Sequence, residues 1–424
     1  MRALRFSLVA AAALAVACGS NKQPFGDPDG GDGGNPFSTD DAGPPVPIGT
    51  LTGKVLAPEG TMPISGALLY LTPTPPPAIP DGVFCDKCVR LDASTPSTFS
   101  KPDGTFALPA YAKGTQYLVV QKGQFRRVRS LDVTGGDQPV NAGFTRLPPK
   151  TNAQLGDTIP KMAVVNGQWD RIEITLAKIG LGKLDGNGQL QRGTESFDIY
   201  ENKFPPNPND PFAPDKLLTD ANVMNKYNIV FIPCSGSTGT TCDDTRAGQS
   251  SYQKTLQQFV GKGGKVYVTD YSYEFVRQPF PGFVTWHQQS QALGSACLSG
   301  EYDAPGKVDD KGLSDWLGAM GTSSVTLKAN WTQIDALTPQ PGTDENGKPA
   351  TITPKVWMTA QTGGGDHPAT ISFQQSCGRV LFSTYHTEAA LNPGPNATLL
   401  PQEQALLYVL LEVAVCVGPP QGPN

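Results

Sequence analysis

The chain has 424 residues and a formal net charge of −5, with 33 basic and 38 acidic side chains. Because nucleic-acid binding needs a concentrated basic face, this weak acidity argues against nucleic acid as the main partner. Gly and Pro are abundant, at 47 and 40 residues, whereas charged residues make up only 17% of the chain. The composition also excludes a chain-long coiled coil and a polytopic membrane protein, and the length allows two or three domains.

Residues 1–17 have the pattern of a secretory signal peptide. Arg2 and Arg5 precede an apolar run that ends in small residues at Cys18. The segment around Cys18 resembles a bacterial lipobox. This resemblance implies cleavage before Cys18 and acylation of the cysteine, which makes a membrane lipid its partner. Gly19 after the cysteine favours the outer membrane of a bacterial cell envelope. The alternative is ordinary cleavage nearby with Cys18 unmodified.

Residues 18–48 then form a segment rich in Gly, Pro and Asp. No part of it can bury enough apolar area to offset the entropy of ordering. We therefore expect a disordered tether between the lipid and the folded part of the chain. A short disordered tail is expected at residues 419–424.

The remaining cysteines suit an oxidising compartment. We expect disulfides in the two close pairs, Cys85 with Cys88 and Cys234 with Cys242. A zinc or redox role for the first pair is disfavoured, because no further His or Cys lies nearby and the segment is Pro-rich. One cysteine of the remaining three is expected to stay free: Cys297, Cys377 or Cys416.

Residues 49–150 contain short strands separated by frequent turns, a pattern typical of an antiparallel β-sandwich. The segments 52–55, 64–67 and 103–109 resemble those of the carboxypeptidase regulatory-like domain, a transthyretin-like sandwich. The resemblance implies a non-catalytic spacer or binding module. The Pro-rich residues 71–83 are predicted to form an extended loop.

Three arginines follow one another closely in this domain. Alternation along a strand places Arg127 and Arg129 on one face and Arg126 on the other. The segment 124–129 could bind an anionic glycan or a lipid headgroup, but a solvated strand face or salt bridges between domains are favoured.

Residues 151–418 alternate between strand and helix patterns. Apolar strands are predicted at 162–165, 197–200, 227–233, 264–270 and 378–383, and helices at 170–180, 252–260 and 402–415. This succession predicts a three-layer α/β domain with a mainly parallel, flavodoxin-like sheet.

The segments 232–236, 259–266 and 385–388 are similar to those of class I glutamine amidotransferase-like domains. In that family a Cys on a tight turn attacks an amide, and a His and a Glu activate it. His386 and Glu388 match the family's His and Glu. The turn at 269–273 contains neither a Cys nor a Gly, so the nucleophile is missing and a strained turn is not expected there.

Two replacements for the missing nucleophile remain open. Ser272 with His386 and Glu388 could form a serine version of the site. A metal could instead be held by the histidines with a carboxylate, in the set His287, His367, His386 and Asp366 or Asp270. The favoured interpretation is that His386 is structural and that no metal is bound.

Open α/β sheets bind ligands at the carboxyl ends of their strands. A ligand cleft is therefore predicted from the side chains that follow the central strands: Asp270, Tyr271, Tyr273, His386 and Glu388. The overall expectation is an envelope lipoprotein that has no cofactor and acts as a non-catalytic binding or structural module, with envelope proteins or glycans as possible partners. The alternatives are an amidase using Ser272 and carbohydrate binding through the β-sandwich.

Overall fold

The computed structural model describes residues 46–412, apart from 86–88, 90, 93, 168, 202–208, 235–244, 345 and 388–397. The expected signal peptide, the lipidated Cys18, most of the tether and the C-terminal tail lie outside the described residues. So does Glu388.

Two β-sheets build the N-terminal part of the folded region. One has three strands in the order β4-β1-β7, and the other has five in the order β3-β2-β5-β6-β8. The pair β1/β7 is parallel and the other pairs are antiparallel. The strands are β1 Gly49–Lys54, β2 Leu68–Thr72, β3 Ser97–Phe99, β4 Thr105–Ala110, β5 Gly114–Lys122, β6 Phe125–Val133, β7 Gly136–Pro139 and β8 Asp157–Thr158.

A nine-stranded sheet follows, in the order β10-β9-β11-β12-β21-β20-β19-β14-β15. The five strands from β10 to β21 pair in parallel and the remaining pairs are antiparallel, so the sheet is mixed rather than mainly parallel. Two separate two-stranded antiparallel sheets are formed by β13 with β16 and by β17 with β18. In chain order, the strands of this part are β9 Met162–Val165, β10 Asp198–Tyr200, β11 Ile229–Ile232, β12 Lys265–Thr269, β13 Val284–Trp286, β14 Tyr302–Val308, β15 Val325–Asn330, β16 Ile334–Leu337, β17 Gln340–Thr343, β18 Pro349–Ile352, β19 Lys355–Thr362, β20 Gly365–Gln375 and β21 Gly378–Ser383.

Helices lie on both faces of the nine-stranded sheet. One face packs in a cluster with α5 and α6, and the other packs in a cluster with α2, α7 and α8. The α-helices are α1 Ala142–Thr145, α2 Ile172–Leu176, α3 Pro214–Thr219, α4 Ala221–Met224, α5 Ser250–Gly261, α6 Glu274–Arg277, α7 Lys311–Ala319 and α8 Pro401–Glu412.

The helix predicted at 170–180 differs from the observed one. The α-helical part is only Ile172–Leu176, and a π-helical turn continues it over Ala177–Leu181. Gly180 has a φ of 90°, which ends the helix as its sequence position predicts. Asp170 does not cap this helix, because its carboxylate is used elsewhere.

The sandwich and the nine-stranded sheet share a hydrophobic cluster, and the described residues from Val46 onward belong to one compact unit. The indole Nε1 of Trp316 donates to the carbonyl of Pro63 over 2.8 Å. Strand β8 belongs to the sandwich although it lies beyond residue 150. The predicted boundary therefore falls inside a continuous packed body.

Of the three arginines on β6, Arg127 and Arg129 bind the buried carboxylate of Asp157, with N–O distances of 3.0 and 2.8 Å. Since Asp157 belongs to β8, these ion pairs hold the edge of the sandwich sheet together. Arg126 lies on the opposite face, as the alternation of side chains predicts.

The cysteines pair differently from the sequence prediction. Cys85 is bonded to Cys377 across 292 residues, not to Cys88. Cys234 is free and buried, so the predicted pair with Cys242 is wrong. Cys297 is disulfide-bonded. Proximity along the chain failed as a guide because the Pro-rich loop carries Cys85 to the turn between β20 and β21.

Among the described residues, no helix is both long enough and apolar enough to cross a membrane.

Candidate functional site

Cys234 lies two residues after β11, at the carboxyl end of the parallel strands. Its side chain is buried, and its backbone N–H donates to Oγ1 of Thr269 over 2.8 Å. Because β11 and β12 are parallel neighbours, the residues that follow them meet at the same edge. This places the thiol beside the first residue after β12.

That residue is Asp270, and its backbone is strained. Its φ is 45°, in the left-handed region that few residues other than Gly adopt. Asp tolerates this conformation better than most side chains do. The strained turn that the sequence analysis did not expect is therefore present, and a carboxylate occupies it.

The carboxylate of Asp270 is fully buried and surrounded by donors. The backbone N–H of Trp331 lies 3.1 and 3.2 Å from its two oxygens, and Oγ1 of Thr332 donates to it over 3.0 Å. Burial raises the pKa of Asp270 to about 6, although His386 and these donors act in the opposite direction.

His386 completes the cluster from the end of β21. Its Nε2 lies 3.2 Å from Oδ2 of Asp270, and its ring is nine-tenths buried. Burial lowers the pKa of His386, but the Asp270 carboxylate outweighs burial, and the net result is a raised pKa. The distance between the two side chains is that of a buried ion pair, although Nε2 of His386 makes no hydrogen bond among the described residues. The raised pKa of His386 favours its charged form, whereas burial disfavours the charged form of Asp270.

A second buried carboxylate supports this arrangement. Oδ2 of Asp170 accepts hydrogen bonds from Oγ1 of Thr269 over 2.7 Å and from the N–H of Thr387 over 3.0 Å. Asp170 thus joins the end of β12 to the segment that carries His386. The sequence analysis assigned Asp170 to a helix cap, because a capping pattern and a site residue look alike in one sequence.

The other predicted site residues occupy different positions. The hydroxyl of Ser272 is buried and donates to the carbonyl of Pro233 over 2.8 Å, not to His386. The ring of Tyr271 is half-buried and lies 5.4 Å from Trp331. Tyr273 is in the core, where its ring lies 5.0 Å from Trp286 and its hydroxyl accepts from the N–H of Ala296. The structure therefore brings Asp270 and His386 together with Cys234.

The structure does not assemble the metal-ligand set considered from the sequence. His287 and His367 both approach Asp335, with N–O distances of 3.0 and 4.0 Å, whereas His386 pairs with Asp270. A different trio lies close together: the ligand atoms of Cys234, Asp270 and His386 are all within 4.8 Å of one another. Burial, followed by the Asp270 carboxylate, raises the pKa of the Cys234 thiol well above its usual range.

Cys234, Thr332 and Trp331 were missed as members of the site. Cys234 follows an apolar strand, and this position was a usable signal, but the nearby Cys242 offered a simpler explanation. Trp331 and Thr332 follow β15, far along the chain from β12. Their role depends on the antiparallel half of the sheet, which no short motif marks.

No protein-family model and no curated protein matches this chain. Among solved structures, a putative ThuA-like protein from Bacteroides uniformis is 13% identical with a TM-score of 0.33, over 59% of this chain and 90% of that one. A cytoplasmic protein from Salmonella typhimurium is 9% identical with a TM-score of 0.34, over 59% of this chain and 98% of that one.

Two β-galactosidases are also similar in part. Gan42B, a GH42 enzyme, is 12% identical over 61% of this chain, and an enzyme from Bacillus circulans sp. alkalophilus is 13% identical over 59%. Both TM-scores are 0.29, and the match covers 30% of each β-galactosidase. At these levels the likeness assigns no activity to this chain.

Proposed function

We propose that this protein is a lipid-anchored protein of the bacterial cell envelope and that its α/β domain is a non-catalytic binding or structural module. The anchor rests on the sequence pattern that ends at Cys18 and on the Gly, Pro and Asp-rich segment after it. An acylated cysteine followed by a flexible tether would hold the folded part away from the lipid surface.

The state of Asp270 carries the non-catalytic part of the proposal. Asp270 occupies the sharp turn at which the resembled amidotransferases present a Cys. Its carboxylate accepts from Trp331 and Thr332 and is paired with His386. A carboxylate whose lone pairs are engaged by buried donors is a weak nucleophile, and the raised pKa of His386 disfavours the neutral imidazole, which is the form that acts as a base. The side chains therefore stabilise one another.

The nearby thiol also supports this proposal. The thiolate, rather than the thiol, is the nucleophilic form of cysteine. Since burial raises the pKa of Cys234, the protonated form is favoured at neutral pH. Cys234 also lies on the strand end next to the turn and not in it.

One observation favours a second candidate, an envelope amidase. Cys234 is free and lies close to His386 and Asp270, and these three residue types also make up cysteine hydrolase sites. In this alternative, Cys234 replaces Ser272 as the nucleophile considered for the enzyme.

Ammonia release separates the two candidates. The purified mature protein would be incubated with glutamine, asparagine and amidated peptides, beside C234A and H386A variants and a heat-denatured control. We expect no ammonia above the denatured control from any sample. Release by the wild type that both substitutions abolish would overturn the non-catalytic proposal and identify the amidase.

A further inference from the structure

The outer face of the five-stranded sheet carries a pocket that none of the site residues described above lines. Its volume is about 580 Å³, within the roughly 300–1,000 Å³ range of small-molecule sites. The floor is formed by side chains of β2 and β5 and of the turn and strand that follow β5. The walls are formed by the Pro-rich loop at 74–80 and by a second set of side chains that follows it in the chain: Phe84, Val89, Leu91, Asp92 and Thr95.

Arg126 is the charged group of the pocket floor. It is 9% exposed, and its Nε is buried without a hydrogen-bond partner among the described residues. Burial lowers the pKa of Arg126, and Tyr70 acts in the opposite direction. Asp92 also lines the pocket, but it is exposed and does not pair with Arg126. A buried guanidinium without a carboxylate partner is costly, which points to an anion supplied from outside.

Whereas Arg126 contributes an unpaired donor, Gln124 contributes an unpaired acceptor. Its side-chain oxygen Oε1 is buried and accepts no hydrogen bond among the described residues. Arg126 and Gln124 both line the pocket, and each side chain has a buried polar atom without a hydrogen-bond partner among the described residues. A ligand that pairs with both side chains carries an anionic acceptor and a neutral donor such as a hydroxyl.

The remaining lining favours a ring with apolar edges. Pro75, Pro76, Pro77 and Phe84 supply apolar surface, and Thr72 and Gln121 add polar groups. We propose that this pocket binds an acidic sugar, with its carboxylate on Arg126 and a hydroxyl on Gln124. Arg is the side chain best suited to bind a carboxylate through two parallel hydrogen bonds.

The loop that walls the pocket is held in place from below. The carbonyl of Gly82 accepts from Nδ2 of Asn228, and the N–H of Val83 donates to the carbonyl of Asn225 over 2.8 Å. The disulfide between Cys85 and Cys377 fixes the next part of the loop to the β20–β21 turn. A wall fixed in this way lowers the entropy that a ligand must overcome on binding.

Titration calorimetry on the full mature protein tests the proposal with matched sugars. Galacturonate and glucuronate are the probes, and galactose and glucose are their neutral counterparts. We expect the uronates to bind at least about tenfold more tightly than the neutral sugars, because a charge-assisted pair forms only with the carboxylate. The R126Q variant should lose at least about tenfold in uronate affinity, and Q124L should lose a smaller factor.

The control variant is R192Q, since Arg192 is exposed and pairs with Glu201 outside the pocket. It should bind like the wild type, and circular dichroism would show that each variant is folded. Three results would overturn the proposal: no uronate binding at millimolar concentration, equal binding of the neutral sugars, or unchanged binding by folded R126Q. The ammonia assay concerns different residues, so either proposal can fail without the other.

Discussion

Two buried charged side chains in this protein differ in whether the protein supplies them with partners. Asp270 lies at the strand ends of the nine-stranded sheet, where two protein donors and His386 surround it. Arg126 lies on the outer face of the sandwich, where it forms no ion pair among the described residues and faces a pocket. Asp270 is paired within the protein, whereas Arg126 has no carboxylate partner among the described residues and is proposed to pair with an anionic ligand.

This difference in how the two charges are paired is the basis for proposing a structural role for Asp270 and a ligand for the pocket at Arg126. The sequence drew attention to Asp270 and His386 because the amidotransferases that this segment resembles act at that position. In the structure, Asp270 and His386 are paired with each other, and Trp331 and Thr332 donate to Asp270. Arg126 belongs to the segment 124–129, for which the sequence favoured a solvated face or salt bridges over ligand binding. In the structure, Arg126 and Gln124 line a pocket, and each has a buried polar atom without a partner among the described residues.

The largest expected effect comes from breaking the compensated pair. D270A would leave His386 and the donors of Trp331 and Thr332 without their acceptor in a buried environment. We expect a loss of roughly 3–5 kcal/mol in the free energy of unfolding, the usual cost of breaking a buried ion pair. Guanidinium unfolding followed by circular dichroism measures it.

The matched control for this prediction is D335A. Asp335 pairs with His287 over 3.0 Å, but both side chains are more than a third exposed. Exposed pairs contribute about 0–1 kcal/mol, so D335A should change little. Equal losses of unfolding free energy in D270A and D335A would show that the buried pair contributes no more to stability than the exposed pair does.

A smaller effect is expected from pH. The pKa of Asp270 is about 6 in the folded protein and about 3.9 for an unfolded Asp. The folded state therefore holds this proton more tightly, and the contribution of Asp270 to stability falls as pH rises from about 4 to 6. The raised pKa of His386 acts in the same direction, since its contribution is full below about 6.5 and is lost as pH rises further.

Unfolding of the wild type and D270N at pH 4, 5, 6, 7 and 8 would reveal this dependence. The stability advantage of the wild type over D270N should shrink by roughly 2 kcal/mol between pH 4 and pH 7, at ~1.4 kcal/mol per pKa unit. An advantage that grows with pH would mean that Asp270 ionises more easily in the folded state than in the unfolded one.

Much of the fold was predictable because local patterns determine it. The apolar run at β11 and the segment at β21 lie close to where the sequence placed them. The antiparallel half of the sheet was not predicted. The sequence analysis recognised strands by their alternation with helices, and strands such as β19 and β20 follow each other directly and are held by their pairing with neighbouring strands. The same limit explains the site: Asp270 and His386 follow predicted strands, but Trp331 and Thr332 are brought in by long-range pairing.

The disulfide shows a second limit. Cys85 and Cys88 are only three positions apart in the sequence, so a disulfide between them was the simplest prediction. Cys85 is instead bonded to Cys377, which is 292 residues away. Only the three-dimensional path of the Pro-rich loop makes that pairing possible. The alternation of Arg126 and Arg127, by contrast, follows from strand geometry alone and was predictable.

The smallest expected effect concerns Arg126 itself. In the ligand-free protein, R126M would remove an uncompensated buried charge and keep most of the side-chain volume. We expect a change between zero and a gain of about 1 kcal/mol in the free energy of unfolding, because an apolar side chain of similar shape replaces a poorly solvated guanidinium.

The neighbouring R127M would behave differently, since it leaves the buried carboxylate of Asp157 with fewer partners, and a loss of about 2–4 kcal/mol is expected. Guanidinium unfolding of both variants provides the comparison. A loss in R126M as large as that in R127M would mean that Arg126 stabilises the fold, and the pocket would then lack the unused charge on which its proposed ligand depends.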